Sequence, residues 1–238
     1  MARVSVVTGG SRGIGFAVAE ALLKGGDHVA VTGTSADGVA TAATALAERA
    51  GASARVLGVT CDVRSATSVD QAFARIESEF GGVDVLINNA GVGVGVPIAE
   101  MPADEWHRIL DTNLTGVFHC TKAAIPRLQR RGGGWIINVS SLASKNAFVG
   151  GAAYCASKAG LNAFSEALMQ ELRHDNIKVS YVLPGSVATG FSGRESSTGA
   201  DWKLLPEDVA QVIVDLLAHP GRSLPSRVEI RPSRPNKS

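Results

Sequence analysis

Apolar residues in this chain fall into short unbroken runs, separated by longer stretches in which they recur at helical spacing. The runs at 4–8, 28–32, 55–60, 83–88, 135–140, 177–183 and 227–230 are rich in Val and Ile and show little polar alternation. Strands of that kind are buried on both faces. The stretches at 14–24, 39–49, 68–80, 103–131, 153–174 and 206–218 predict helices, the first and third stopped by Gly25-Gly26 and Gly81-Gly82. Strands alternating with helices predict an α/β fold, a doubly wound parallel sheet of about seven strands with helices on both faces. One domain over 1–231 accounts for the pattern, and the polar, proline-rich residues 232–238 are expected to fray. The Gly/Ser-rich stretch 190–200 interrupts the alternation and is expected to form a mobile loop near a site.

The helix predicted at 153–174 carries apolar residues on two faces. Leu161, Phe164, Leu168 and Leu172 form one stripe, and Ala159, Ala163 and Ala167 form another, rotated away from it. One stripe covers the parent sheet. The other asks for a partner, and small residues let helices approach closely. A homo-oligomer is expected, a tetramer or else a dimer.

Composition narrows the functional classes. With 238 residues, 45% hydrophobic and 19% charged, the chain has enough apolar material for a large core. A net charge of +1 without charge blocks predicts no nucleic-acid partner. No uninterrupted apolar run approaches the roughly 18 residues a membrane helix needs, so no membrane partner is expected. Met1-Ala2-Arg3 leads straight into the first apolar run, without the order of a secretory leader, and a cytoplasmic location is expected. Cys61, Cys120 and Cys155 form neither an even framework nor a paired metal spacing, so reduced thiols and no metal are expected.

The chemistry gathers in two places. The first strand runs into Thr8-Gly9-Gly10-Ser11-Arg12-Gly13-Ile14-Gly15 and then the first helix. Glycines there permit the turn and a close backbone approach to a pyrophosphate, while the free N–H groups of the helix start face the anion. At the end of the second strand, where an NAD site carries Asp or Glu for the ribose, the chain reads Thr32-Gly33-Thr34-Ser35. Arg12 and the hydroxyls of Thr34 and Ser35 suit a 2′-phosphate instead, so NADP is expected and NAD is less favoured. The plainer alternatives are that Arg12 covers the helix start and that Asp37 caps the next helix. In the second place, Tyr154 and Lys158 stand four residues apart and share one helix face. A phenol titrates near pH 10 in isolation, roughly, and a nearby cation lowers that value, so the pair is acid–base equipment.

The ensemble resembles the short-chain dehydrogenase/reductase family, including its 3-oxoacyl-acyl-carrier-protein reductases, over nearly the full chain. Thr8 to Gly15 matches the cofactor turn, Asp62-Val63 the adenine-side acid, and Asn88-Asn89-Ala90-Gly91 the wall beside the cofactor. Asn113 matches the catalytic asparagine, Ser141, thirteen residues before Tyr154, the catalytic serine, and Pro184-Gly185-Ser186-Val187-Ala188-Thr189 the turn that holds the nicotinamide. The resemblance implies a Rossmann-like fold and a hydride transfer to or from a carbonyl. It implies that Tyr154 gives the proton and Ser141 bonds the carbonyl oxygen. Lys158 would lower the phenol pKa and hold the nicotinamide ribose, and Asn113 would position water that relays protons through Lys158. Each residue also has a plain reading: Ser141 as a turn or cap, Asn113 as a helix bend, Asp62 as a strand end.

For the substrate, Val94, Val96, Phe148, Phe191 and Trp202 are candidate pocket walls, mostly apolar, which favours a hydrophobic or aromatic ketone; each could equally close the core. The family's motifs serve many carbonyls, including 3-oxoacyl thioesters. A non-catalytic dinucleotide sensor on the same fold is the alternative class, and it would need neither Ser141, Tyr154 nor Lys158. The end Arg231-Pro232-Ser233-Arg234-Pro235 departs from the glycine-rich finish of many family members.

Overall fold

Seven parallel strands make one sheet in the order β3-β2-β1-β4-β5-β6-β7, in a computed structural model that describes residues 2–93, 95–191 and 201–235. They are β1 (Val4–Val7), β2 (His28–Gly33), β3 (Arg55–Thr60), β4 (Val85–Asn88), β5 (Gly134–Val139), β6 (Ile177–Pro184) and β7 (Arg227–Ile230). The chain steps outward from β1 to β3, returns to the centre at β4, and then builds towards the other edge. Strand order therefore reverses between β1 and β4, and the crevice beyond the carboxyl ends at such a switch point is where open α/β sheets take ligands.

The missing polar alternation has a direct cause. Val6, Leu86 and Ile136 belong to one core, while their chain neighbours Val7, Ile87 and Ile137 belong to the other. Successive strand side chains point to opposite faces, and helices cover both. The first core is closed by α3 (Ala66–Phe80), α5 (Gly116–Arg130) and α6 (Ala152–Leu172), through Phe73, Ile76, Leu128 and Leu168. The second is closed by α1 (Gly13–Lys24), α2 (Ala36–Ala50) and α7 (Pro206–Leu217), through Leu22, Leu46 and Ile213. Each fully buried Leu or Ile contributes about 1.5–3 kcal/mol.

Helix starts differ from the sequence expectation where a hydroxyl intervenes. Ser35 and Ser65 accept the N–H groups of Gly38 and Ser68 at 3.1 and 3.3 Å, so α2 and α3 begin three and two residues before the expected 39 and 68. Asp37 lies inside the first turn of α2, and the cap is Ser35. The single helix expected over 103–131 divides into α4 (Ala103–Leu110), a π-helical turn (Asp111–Thr115) and α5. On α6, Leu161, Leu168 and Leu172 are buried, Phe164 packs against the first core, and Ala159, Ala163 and Ala167 are exposed. No helix among the described residues is long and apolar enough to cross a membrane.

Candidate active site

The turns after β1 and β4 are joined side chain to backbone. Thr8 Oγ1 accepts the N–H groups of Asn89 and Ala90, each at 3.0 Å, and Asn89 Nδ2 donates to the Thr8 and Gly9 carbonyls at 3.0 and 3.1 Å. This close seam explains Gly15: a Cβ there would sit 2.4 Å from the Gly9 carbonyl oxygen and 2.5 Å from Asn89 Nδ2. Gly13 has φ +57°, in the left-handed region that favours glycine. No side chain caps the start of α1 and no acidic residue stands in its first turn, so its N–H groups and the helix dipole face the cleft without a built-in anion. These features fit a dinucleotide pyrophosphate.

Opposite this turn, Tyr154 and Lys158 project from α6 and Ser141 follows β5. Lys158 is buried, and its Nζ donates to the carbonyl of Val139 at 2.8 Å and lies 5.9 Å from the Tyr154 ring centre. Burial pulls its pKa down from 10.5 to about 8. Tyr154 moves the other way: burial raises the phenol pKa, and a hydrogen bond from Ser141 opposes part of that rise. The sequence reading expected Lys158 to lower the phenol. Burial is the larger effect, and the ammonium is turned to the Val139 carbonyl. The Ser141 oxygen accepts the Ala143 N–H at 3.1 Å, so its turn-capping role and its place in the cleft coexist.

Asn113 sits fully buried in the π-helical turn. Its Oδ1 accepts from the Val92 N–H at 2.8 Å, and its Nδ2 donates to the Val92 carbonyl at 2.9 Å and to Ser157 Oγ at 3.0 Å. Ser157 Oγ in turn donates to the Tyr154 carbonyl at 2.7 Å. Through these bonds Asn113 ties the 91–93 segment to α6. Pulling Asn113 inward widens the helix at that point, and Gly116 continues it in close contact with Val63.

One cavity of about 1110 Å³ collects most of the expected site. It is lined by Gly9, Arg12, Gly13 and Ile14, by the Asn89-Ala90-Gly91 segment, and by Ser141, Tyr154 and Lys158. Pro184, Gly185, Val187 and Thr189 follow from the end of β6, and Phe148, Phe191 and Trp202 add aromatic surface to the same cavity. An edge-on contact of Phe191 with Tyr154, ring centres 5.9 Å apart, ties the two walls. A parallel bridge between Val187 and Leu204 brings the chain back over the cleft, and that carries Trp202 into place.

Other expected residues stand elsewhere. Ser11 is half-buried beside Gly33 and Gly15 beneath the turn, while Thr34 and Ser35 are exposed beyond the cavity lining. Arg12 donates to the Gly190 carbonyl at 3.2 Å, so it bridges the turn to the far wall. Asp62 holds Arg64 through paired contacts, the shortest 2.6 Å, which lowers its pKa; Val63 packs in the first core. Val96 bonds the Gly150 carbonyl through its N–H and does not line the cavity. Val94 lies outside the described residues, as do 192–200 of the expected loop and 236–238 of the tail. Residues expected to fray after Arg231 instead supply Pro232 and Pro235 to the cavity wall.

Sequence reasoning also missed a supporting chain. Ser140 Oγ donates to Asn162 Oδ1 at 2.6 Å, Asn162 Nδ2 donates to Ser144 Oγ at 2.8 Å, and Ser144 Oγ donates to the Ser141 carbonyl at 2.6 Å. Asn162 lies one turn beyond Lys158, on the spacing that could have flagged it.

A glycine turn, a serine, a tyrosine and a lysine opening on one cleft at the switch point of a doubly wound sheet define a dinucleotide-dependent oxidoreductase by class. Residues 3–199 match the short chain dehydrogenase family, and the chain belongs to it. It is 33% identical over 230 residues to an uncharacterized oxidoreductase of Staphylococcus haemolyticus, with 97% of each chain covered. It is 37% identical over 190 residues to the 3-oxoacyl-[acyl-carrier-protein] reductase FabG of Escherichia coli K12, covering 80% of this chain and 75% of that one. Among solved structures, an alcohol dehydrogenase of the archaeon Thermococcus sibiricus complexed with 5-hydroxy-NADP matches over 100% of both chains, with a TM-score of 0.91 and 29% identity.

Proposed function

We propose that this oxidoreductase reduces a ketone to a secondary alcohol, with NADPH as cofactor and Tyr154 as proton donor. The observation that carries the reading is the convergence of Ser141, Tyr154 and Lys158 on the cavity that the glycine turn also lines. The cofactor, when bound, supplies the hydride; Gly9, Arg12, Gly13 and Ile14 would hold it from one side and the 184–189 turn from the other. A buried phenol with a raised pKa keeps its proton at neutral pH, as a donor must. Ser141 accepts from Ala143 with a lone pair, and its one O–H, directed at Tyr154, would turn to the carbonyl oxygen of a bound ketone. Both bonds strengthen as charge grows on that oxygen, which is where electrostatic stabilisation acts on the rate. Lys158, with a pKa about 8, is mostly charged at pH 7 and favours the phenolate left after proton transfer. Asn113 acts in this reading as a positioning residue, through Val92 and Ser157.

The preference for NADPH over NADH rests on the absence of a carboxylate in Thr32-Gly33-Thr34-Ser35 and on Arg12. A panel of acyl thioesters, aryl ketones, diketones, steroids and sugars, followed by loss of reduced-nicotinamide absorbance, tests the reading. Turnover of 3-oxoacyl thioesters above the rest would favour the activity in the name of the Escherichia coli relative; turnover of none, with dinucleotide bound, would favour a sensor. We also propose a homo-oligomer, a tetramer or else a dimer, built on the exposed Ala159, Ala163 and Ala167 of α6. A monomer by light scattering at micromolar concentration would contradict it.

A further inference from the structure

We propose that the substrate is an apolar ketone that also carries a carboxylate, and that Arg231 is the residue that selects it. The proposal rests on the reductase reading and deepens it. Arg12, Lys158, Lys203 and Arg231 line the cavity, and no Asp or Glu does so among the described residues. Arg12 donates to Gly190 and Lys158 stands by Tyr154, which leaves Arg231 without a task in the reductase reading.

The position of Arg231 is built by the sheet. Pro184 pairs with Ile230, and the Gly185 N–H donates to the Ile230 carbonyl at 2.8 Å. Pro232 then lies against Gly185, where a Cβ would come within 2.9 Å of its ring. The first residue beyond β7 is therefore held beside the 184–189 turn, at the mouth of the cavity. A proline on its C-terminal side restricts its own backbone as well.

The charges there do not balance. Glu229 bonds both Lys145 and Arg231, so two cations share one carboxylate. Those two bonds hold Glu229 below the usual carboxylate range, and it is ionised at neutral pH. Arg231 spends one Nη2–H on Glu229 at 2.9 Å and its side chain is 54% exposed. The remaining N–H groups of its planar fork match a second carboxylate, and exposed ion pairs are weak enough for Glu229 to share or yield. Phe148, Phe191 and Trp202 line the same cavity and fit the apolar body of such a molecule.

The test compares 4-acetylbenzoate with its neutral methyl ester in the wild type, Arg231→Gln and Glu229→Gln. Two measurements are made: kcat/KM with NADPH, and binding of 4-acetylbenzoate by calorimetry. The wild type is expected to favour the acid at least tenfold. The ratio falls towards one in Arg231→Gln and rises in Glu229→Gln, and binding of the acid weakens at least fivefold in Arg231→Gln. Thermal melts check that each variant folds, and Arg231→Lys, which keeps the charge, should restore part of the ratio. Arg231-dependent binding without reduction of either ketone would support Arg231 as a carboxylate-binding residue and count against the reductase reading on which its role in substrate choice rests. Reduction of the ester with no preference for the acid, a preference unchanged in Arg231→Gln, or no binding of the acid by the wild type would overturn this proposal.

Discussion

The two sides of the cleft hold their chemistry by different means. Around β1 and α1 the site is shaped by backbone: a left-handed Gly13, a Gly15 with no room for a Cβ, and a helix start without a capping side chain. Around β5 and α6 it is made of side chains, Ser141, Tyr154 and Lys158, each tied to neighbours and two of them displaced in pKa by burial. A site made of backbone is harmed by atoms added and is indifferent to pH. A site made of buried titratable groups is harmed by atoms removed and depends on pH.

The largest expected effect removes one oxygen from the side-chain half. Tyr154→Phe should abolish reduction while cofactor binding is nearly unchanged, since it deletes the transferable proton and little volume. Retention of more than about a tenth of wild-type kcat, a loss under about 1.4 kcal/mol, would refute Tyr154 as proton donor.

Adding one carbon to the backbone half should come next. Gly15→Ala must move the Gly9 carbonyl or Asn89, at an expected cost of about 1–3 kcal/mol. Urea melts should show that loss, and NADPH titrations a weaker affinity whose deficit is the same from pH 6 to 9. A deficit that varied with pH would erase the contrast between the halves.

The third test isolates burial. Lys158 has a pKa about 8 when folded against its ordinary 10.5, so between those values the unfolded chain binds the extra proton. Stability from this group rises with pH through that window, and its penalty is full below it. Wild type should therefore gain on Lys158→Met by up to about 1.4 kcal/mol per pH unit between 8 and 10. Cys61, Cys120 and Tyr154, all raised by burial, contribute with the opposite sign as pH rises through their ordinary values, but they are common to both proteins. A constant gap across the window would mean that Lys158 is not desolvated.

The smallest effect concerns Arg12, the charged side chain that the glycine turn contributes to the cavity lining. Arg12→Ala should lower the NADPH to NADH ratio of kcat/KM several-fold. An unchanged ratio would leave Arg12 as a bridge to Gly190 and no more. Wild type that used NADH equally well or better would remove the NADP assignment.

Much of this was legible from residues alone. The strands, the glycine turn and the pairing of Tyr154 with Lys158 were all placed by spacing, because period and helix pitch are local. Asn113 was found as a site candidate, with a helix bend as its plain alternative, but its partners were not, since Val92 and Ser157 lie 21 and 44 residues away. Asn162 and Ser144 carry no motif, and only the packing of α6 on the 141–144 turn brings them together. Arg231 and Pro232 read as a departure at the chain end, with nothing in the sequence to say that β7 would aim them at the cleft.

By itself, then, the sequence determined the alternation that builds a doubly wound sheet, the turn that can admit a pyrophosphate, and the candidate residues that meet in one cavity. Tertiary structure alone decided that burial moves Tyr154 and Lys158 in opposite directions, that the Asn113 amide bonds Val92 and Ser157, and that Arg231, Pro232 and Pro235 line the pocket. The physical reason is range: helix and strand periods act over a few residues, whereas desolvation and contact depend on whatever distant segment covers a group.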